Sequence, residues 1–427
     1  MILFGLILIL LYTLAKIFLM KELSIKHKGL EKLKAFISLK KSIYSIVFLV
    51  TIIGSVQSLS GTKTYGTDTI EYNKYNNYTI FKESFNHLKN QQDLYVLYPQ
   101  EHWDLYKYTP TFSVLFAGFT LLPDWLGLLV WNLLNAFVLV LAIFYLPKSK
   151  LSNYQKGLVV LILLIELITS IQNEQSNGLM AGLFVFALGL LEKRKYFMAA
   201  FCIVLASYIK LFGVVGFALF LFYPDKIKLA IYTLVWTGIL FVLPLLYIDM
   251  TQYVALFDSY KLMLNSDHSA SLGYSVMGWL STWFHVNVNK NSIVLIGVVI
   301  FMLPFLRFKL YSDFKMRLLL LSSILIWVVI FNHKAESPTF VIAMTGVGIW
   351  FISAIKNPLN IILFGLVLLF TCLPQIDVFP RSFRNDFINP YVLKAVPCIL
   401  VWVKIIYDMM VLKPSATIEV PEEKTLE

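Results

Sequence analysis

The feature that most constrains this chain is the recurrence of apolar runs of fifteen to twenty residues, separated by short polar connections, along almost all of its 427 residues. In hydrocarbon, a helix satisfies every backbone N–H and C=O within its own segment, so such runs are read as membrane-spanning helices. They fall near 1 to 20, 42 to 59, 126 to 146, 157 to 171, 178 to 191, 196 to 208, 211 to 222, 228 to 248, 291 to 306, 317 to 332, 339 to 355, 359 to 373 and 391 to 412. The pattern predicts an all-α polytopic membrane protein, a bundle of about 11 to 13 transmembrane helices. Few runs reach the ~20 residues of a perpendicular span, so several helices are short, tilted or enclosed by others. Two briefer stretches, 111 to 122 and 275 to 284, read as interfacial or re-entrant helices. A single transmembrane domain over 1 to 412 and a tail over 413 to 427 account for the chain. The first 20 residues lack a basic n-region and a small-residue cleavage site, and read as a retained helix.

Lysines and arginines set the orientation. The segment 21 to 41 holds seven lysines, and further basic connections carry Lys148, Lys150 and Lys156; Lys193, Arg194 and Lys195; Lys226 and Lys228; and Arg307, Lys309, Lys315 and Arg317. All fall on one side of a thirteen-span arrangement, which the positive-inside bias makes cytoplasmic. The net charge of +11 is therefore a topology signal and does not point to nucleic acid. Cys202, Cys372 and Cys398 lie inside or beside apolar runs, and give neither a disulfide framework nor a metal motif. The other side collects the loop 60 to 110, QNEQSN at 172 to 177, the turn at Lys210, residues 249 to 274, NHKAESPT at 332 to 339, and 374 to 390. Nearly every unusual polar cluster is there, so the chemistry is expected at the outer face.

The long loop carries Asp68, Glu71, Glu83, Asp93, Glu101 and Asp104. Transfer of a group onto a hydroxyl needs a carboxylate to take the proton, although most loop carboxylates only solvate the chain. Asp68 and Glu71 are three apart and on a helical turn would share a face. At the loop's end, YKYTPTF (Tyr106 to Phe112) places a proline at the start of a short helix with aromatic flanks. Lys210 interrupts an apolar stretch, where an ammonium needs a polar partner or a route to water. At an outer turn it is suited to bind a phosphate as a point charge. Gln172, Glu174, Gln175 and Asn177 offer amide donors and acceptors, and His333, Lys334 and Glu336 form a third cluster able to meet a phosphate. Arg381, Arg384 and Asp386 add a basic patch.

Taken in order, these residues resemble glycosyltransferase family 87, the polyprenyl-phosphate-mannose-dependent mannosyltransferases of the GT-C superfamily, in the branch seen in Bacteroidetes-type genomes. The similarity runs from about Tyr75 to Thr345. The family's outside-loop aspartate falls at Asn77 or Asn76 in NNYTIFKESFNHLKNQQDLY, and an asparagine cannot act as a general base. Either a neighbouring carboxylate then serves as base, with Asp68, Glu71 and Asp104 the candidates, or this branch organises its site differently. The family's Y-P-P-x-F is similar to YTPTF at Tyr108 to Phe112, and its G-Q-x-N turn to EQSN, with Gln175 and Asn177 matching and Glu174 replacing glycine. Its K-x-x-P looks like Lys210 in IKLFG, with Gly213 replacing proline, and its histidine-bearing outer turn resembles FNHKAESPTF with His333.

The resemblance implies a GT-C-like enzyme of a bacterial cytoplasmic (inner) membrane, with its active site facing outside. It would move a hexose, mannose first, from a polyprenyl-phosphate carrier to a lipid or glycan acceptor. Lys210, His333 and Lys334 would bind the donor phosphate, and Gln175, Asn177 and Tyr108 the sugar or acceptor. Membrane lipids are the only other expected partners, and no cofactor or metal is expected. A transporter or lipid flippase would suit the span count, but the paired mid-membrane ionisable groups of such proteins do not show in the sequence beyond Glu166. A surface-polysaccharide polymerase or ligase would differ mainly in acceptor.

Overall fold

A computed structural model describes residues 28–65, 70–269, 271–375 and 379–414. The run at 1 to 20, Asp68 and the tail beyond 414 lie outside the described residues. Helix α1 (Lys28–Ser38) leads into α2 (Lys40–Leu59), and a two-stranded hairpin, β1 (Thr62–Thr64) and β2 (Glu71–Asn73), opens the long loop. Within that loop lie α3 (Asn76–Lys89), α4 (Pro110–Leu115) and α5 (Ala117–Thr120). The bundle continues with α6 (Asp124–Tyr145), α7 (Asn153–Ile171), α8 (Asn177–Glu192) and α9 (Tyr196–Ile209). A 3₁₀ segment over Leu211–Phe222 follows, then α10 (Lys226–Val242), α11 (Met250–Ser269), α12 (Val276–Phe284) and α13 (Lys290–Met302). The last helices are α14 (Phe314–Ile330), α15 (Phe340–Ser353), α16 (Pro358–Leu366) and α17 (Val396–Val411). Among the described residues, four helical stretches are long and apolar enough to cross a membrane: Lys40–Leu59, Asp124–Tyr145, Asn153–Ile171 and Lys226–Leu246.

Local chemistry sets the helix starts. Ser152 and Gln155 form a capping box on α7, the carboxylate of Asp313 accepts the amides of Lys315 and Met316 on α14, and Pro110 opens α4. Among the described residues, the most extensive helix–helix contact is between α6 and α8. Gly178 and Gly182 sit four apart on α8, and a Cβ at either would come within 2.9 Å of α6 backbone atoms at Asn135 or at Val138 and Leu139. Small residues at this spacing let two helices approach without relying on hydrophobic driving force.

Two segments read from the sequence as loop are partly helical. In α11, Tyr253, Leu256, Tyr260 and Met263 are buried at helical spacing, and α3 buries Phe81, Phe85 and Leu88. Both are too mixed in polarity to show as long apolar runs. The stretch 111 to 122 is helical but breaks at Phe116, and Pro110 to Val114 are buried against protein. Glu71 lies on strand β2 opposite Thr64 and not on a helical turn.

The connections sort into two groups by contact. At one end, Asn77 Nδ2 donates to the Asn173 carbonyl, Ser259 Oγ to Asp93, the Tyr274 amide to the Ala335 carbonyl, and Trp283 Nε1 to the Tyr391 carbonyl. At the other, Arg317 pairs with Glu192 at 2.8 Å, Arg307 donates to the Leu412 carbonyl, and Lys40, Lys148, Lys156 and Lys193 surround one cavity. The basic connections are thus together, opposite the polar loops.

Candidate active site

The site grows from three connections at the loop-bearing end. The first is the turn between α7 and α8, where the indole of Trp131 on α6 donates to the Glu174 carbonyl at 2.6 Å and Asn135 Oδ1 accepts the Leu179 amide at 3.0 Å. Glu174 takes a left-handed backbone there, with φ of 49°. Glycine adopts that conformation without steric cost, so the substitution of glutamate at this turn carries strain. The turn presents Gln175 with its side chain partly exposed, and buries Ser176 and Asn177.

The second element is Tyr108. Its carbonyl accepts the hydroxyl of Tyr95 at 2.9 Å, the Thr109 hydroxyl bonds the Tyr208 carbonyl, and its ring stacks on Phe112 with centroids 4.6 Å apart. Thus fixed, the Tyr108 hydroxyl meets Ser176 Oγ at 3.2 Å. The third is Lys210, in extended conformation where α9 ends. Its carbonyl accepts the Gly213 amide at 2.8 Å, and a Cβ at Gly213 would lie 2.4 Å from the Ala206 and Ser207 backbone. The glycine supplies both a donor that proline lacks and the room for that close turn.

The α7–α8 turn and Lys210 meet in one chain of hydrogen bonds that reaches Glu336. Lys210 Nζ donates to Asn177 Oδ1 at 2.8 Å, Asn177 Nδ2 to Gln175 Oε1 at 2.7 Å, and Gln175 Nε2 to Glu336 Oε2 at 3.0 Å. The Lys210 ammonium also lies 5.5 Å from the centre of the Tyr108 ring. Burial lowers its pKa to about 8, and the Glu336 carboxylate opposes that fall. The chain runs from buried Asn177 to exposed Glu336, so it opens outward. Chemically it offers a cation, amides able to read hydroxyls, and a carboxylate.

Four residues expected from sequence, Tyr108, Gln175, Asn177 and Lys210, are therefore gathered together. His333 and Lys334 lie on the turn that leads to Glu336, and that turn is tied to the chain before α12 by Ser271 Oγ donating to the His333 carbonyl at 2.9 Å. Glu71 and Asp104, the two expected loop carboxylates among the described residues, have other partners. Glu71 is exposed and accepts the Thr62 hydroxyl at 2.7 Å, and Asp104 pairs with Lys107 at 2.9 Å. Of the two asparagines at the position of the resembled aspartate, Asn76 is buried and brackets Trp103, donating to its carbonyl and accepting its amide. A carboxylate cannot do both. Asn77 faces the α7–α8 turn through Asn173.

Deeper in the bundle, fully enclosed Lys394 donates to both oxygens of fully enclosed Glu166 at 3.0 and 2.9 Å, and to Ser337 Oγ at 2.9 Å. Sequence reading found Glu166 but not its partner, 228 residues away.

The apolar helices and the polar end define an all-α polytopic membrane protein with one convergent polar site. The chain belongs to glycosyltransferase family 87, whose model matches residues 106–331, just over half of its length. It is accordingly a membrane glycosyltransferase. The matched region is narrower than the motif similarity, holding Tyr108, Gln175, Asn177 and Lys210 but ending before His333 and Glu336. A comparison with curated proteins returned no match.

Proposed function

We propose that this glycosyltransferase moves a hexose, mannose first, from a polyprenyl-phosphate carrier to a lipid or glycan acceptor at the outer face of a bacterial inner membrane. The observation that carries this reading is the hydrogen-bonded chain from Lys210 through Asn177 and Gln175 to Glu336. Its cation and its carboxylate are the two charged groups a direct displacement requires. The acceptor oxygen attacks the anomeric carbon, the bond from that carbon to the phosphate oxygen breaks, and its electron pair leaves on the phosphate. Lys210 compensates the charge that builds there, with His333 and Lys334 on the neighbouring turn as further cations. The acceptor's proton passes to a carboxylate, which we assign to Glu336 ahead of Asp68, Glu71 and Asp104 because Glu336 bonds the cluster directly. Tyr108, Gln175 and Asn177 orient sugar or acceptor hydroxyls.

The test is incubation of purified protein with polyprenyl-phosphate-mannose and a lipid extract. Protein-dependent release of polyprenyl phosphate, with mannose recovered in the extract, is the expected result. Turnover of a sugar nucleotide with no release from the lipid-linked donor would overturn the donor assignment.

A further inference from the structure

The long loop holds a second constellation that the transfer reaction does not use. His87, in the last turn of α3, places Nε2 2.9 Å from Glu101 Oε2. His102 follows Glu101 directly, and one ring nitrogen of each histidine and a carboxylate oxygen of Glu101 all lie within 4.8 Å of one another. Both imidazoles are buried, 4% and 3% exposed, while Glu101 reaches solvent. We propose that His87, Glu101 and His102 bind a divalent transition-metal ion, zinc in the first instance, which clips the end of α3 to the turn at residues 98 to 104.

Two observations favour an ion over a plain histidine–glutamate pair. A pair needs one imidazole, and here a second, equally buried, converges on the same carboxylate. That second ring is also held in a ligating state. The Asp104 carbonyl lies 3.1 Å from His102 Nδ1 and accepts its proton, which leaves the lone pair on Nε2. Asp104 has a left-handed backbone, φ 77°. The His87 ring is fixed in turn by stacking on Tyr98, centroids 3.8 Å apart. The Glu101 and His102 amides both donate to the Tyr98 carbonyl, so ring and ligands share one rigid turn.

Two imidazoles and one carboxylate are a borderline donor set that suits zinc, with a fourth position open to water on the Glu101 side. Ligands at ~2.1 Å in a tetrahedron stand about 3.4 Å apart, a spacing that falls between the 2.9 Å of the His87–Glu101 contact and the 4.8 Å within which all three ligand atoms lie. The sequence expectation was no metal. His87 is fourteen residues from Glu101, outside any compact ligand spacing, and only the return of the loop onto α3 joins them.

The experiment uses full-length protein in detergent, purified on a tag without histidine, stripped with a chelator and reloaded with zinc or cobalt. The expected result is one ion per chain, tetrahedral cobalt absorption, and a rise in melting temperature with zinc. Glu101→Gln changes an exposed side chain and should weaken zinc on the order of tenfold or more, while His102→Gln should abolish cobalt absorption. His285→Ala, outside the cluster, should bind as the parent does. Failure of the parent protein to retain zinc, or unchanged stoichiometry and affinity in both Glu101→Gln and His102→Gln, would overturn the proposal. Either result leaves the donor assay untouched, so the two readings fail separately.

Discussion

At the scale of single residues, the site's charge rests on Lys210. Its pKa of about 8, lowered by burial and raised by Glu336, makes the group cationic below that pH and neutral above it. Donor KM should therefore rise as pH climbs through about 8. Lys210→Met should raise KM at neutral pH and abolish that alkaline limb, while the protein is recovered in normal yield. A mutant with parental KM at every pH would remove Lys210 from phosphate binding. The proton acceptor is tested by amides, which keep size and lose basicity. Glu336→Gln should cut kcat on the order of a hundredfold, with donor binding retained, and the amides of Asp68, Glu71 and Asp104 should stay within a few-fold. A hundredfold loss in one of those three, with Glu336→Gln active, would move the base into the loop. Lys210 was legible in the sequence because its charge stands out in an apolar stretch. Glu336 lay in a noted cluster, and its bond to Gln175 joins positions 161 residues apart.

Among the elements, the buried Lys394–Glu166 pair links α7 and the residues before α17 to the turn at Ser337, next to Glu336. Removing one partner from an enclosed pair leaves an uncompensated charge, at a cost on the order of 3–5 kcal/mol. Glu166→Gln should accordingly lower the melting temperature sharply in detergent, and Glu166→Leu combined with Lys394→Met should recover most of the loss. Equal melting of the single variant and the parent would show that the pair does not hold this junction. The 3₁₀ segment shows how a short apolar run gains reach. Twelve residues at ~2.0 Å rise cover about 24 Å, against about 18 Å for the same run as an α-helix. Its apolar character was readable, but its tighter winding was not, because pitch follows from the neighbours against which the segment packs.

For the whole molecule, the segregation of lysine-rich connections from polar loops gives a definite topology to test. A cysteine introduced at Asn90 should react with an impermeant reagent in intact cells, and one at Lys32 should not. The reverse pattern would invert the orientation and place the site in the cytoplasm. Long apolar runs, with basic residues in alternate connections, determined by themselves that this is an all-α membrane bundle, because hydrocarbon leaves the backbone few alternatives. Local motifs likewise singled out Tyr108, Gln175, Asn177 and Lys210 as candidates, Lys210 as a charge in an apolar stretch and the others in polar connections between apolar runs. The tertiary structure alone decided that Lys210, Asn177 and Gln175 form one chain with Glu336 beside Tyr108, that Asn76 braces Trp103, and that Lys394 answers Glu166. Each of these is a contact between side chains far apart in sequence. Periodicity and composition describe what a segment can bury, but which distant groups meet is set by helix packing and loop return.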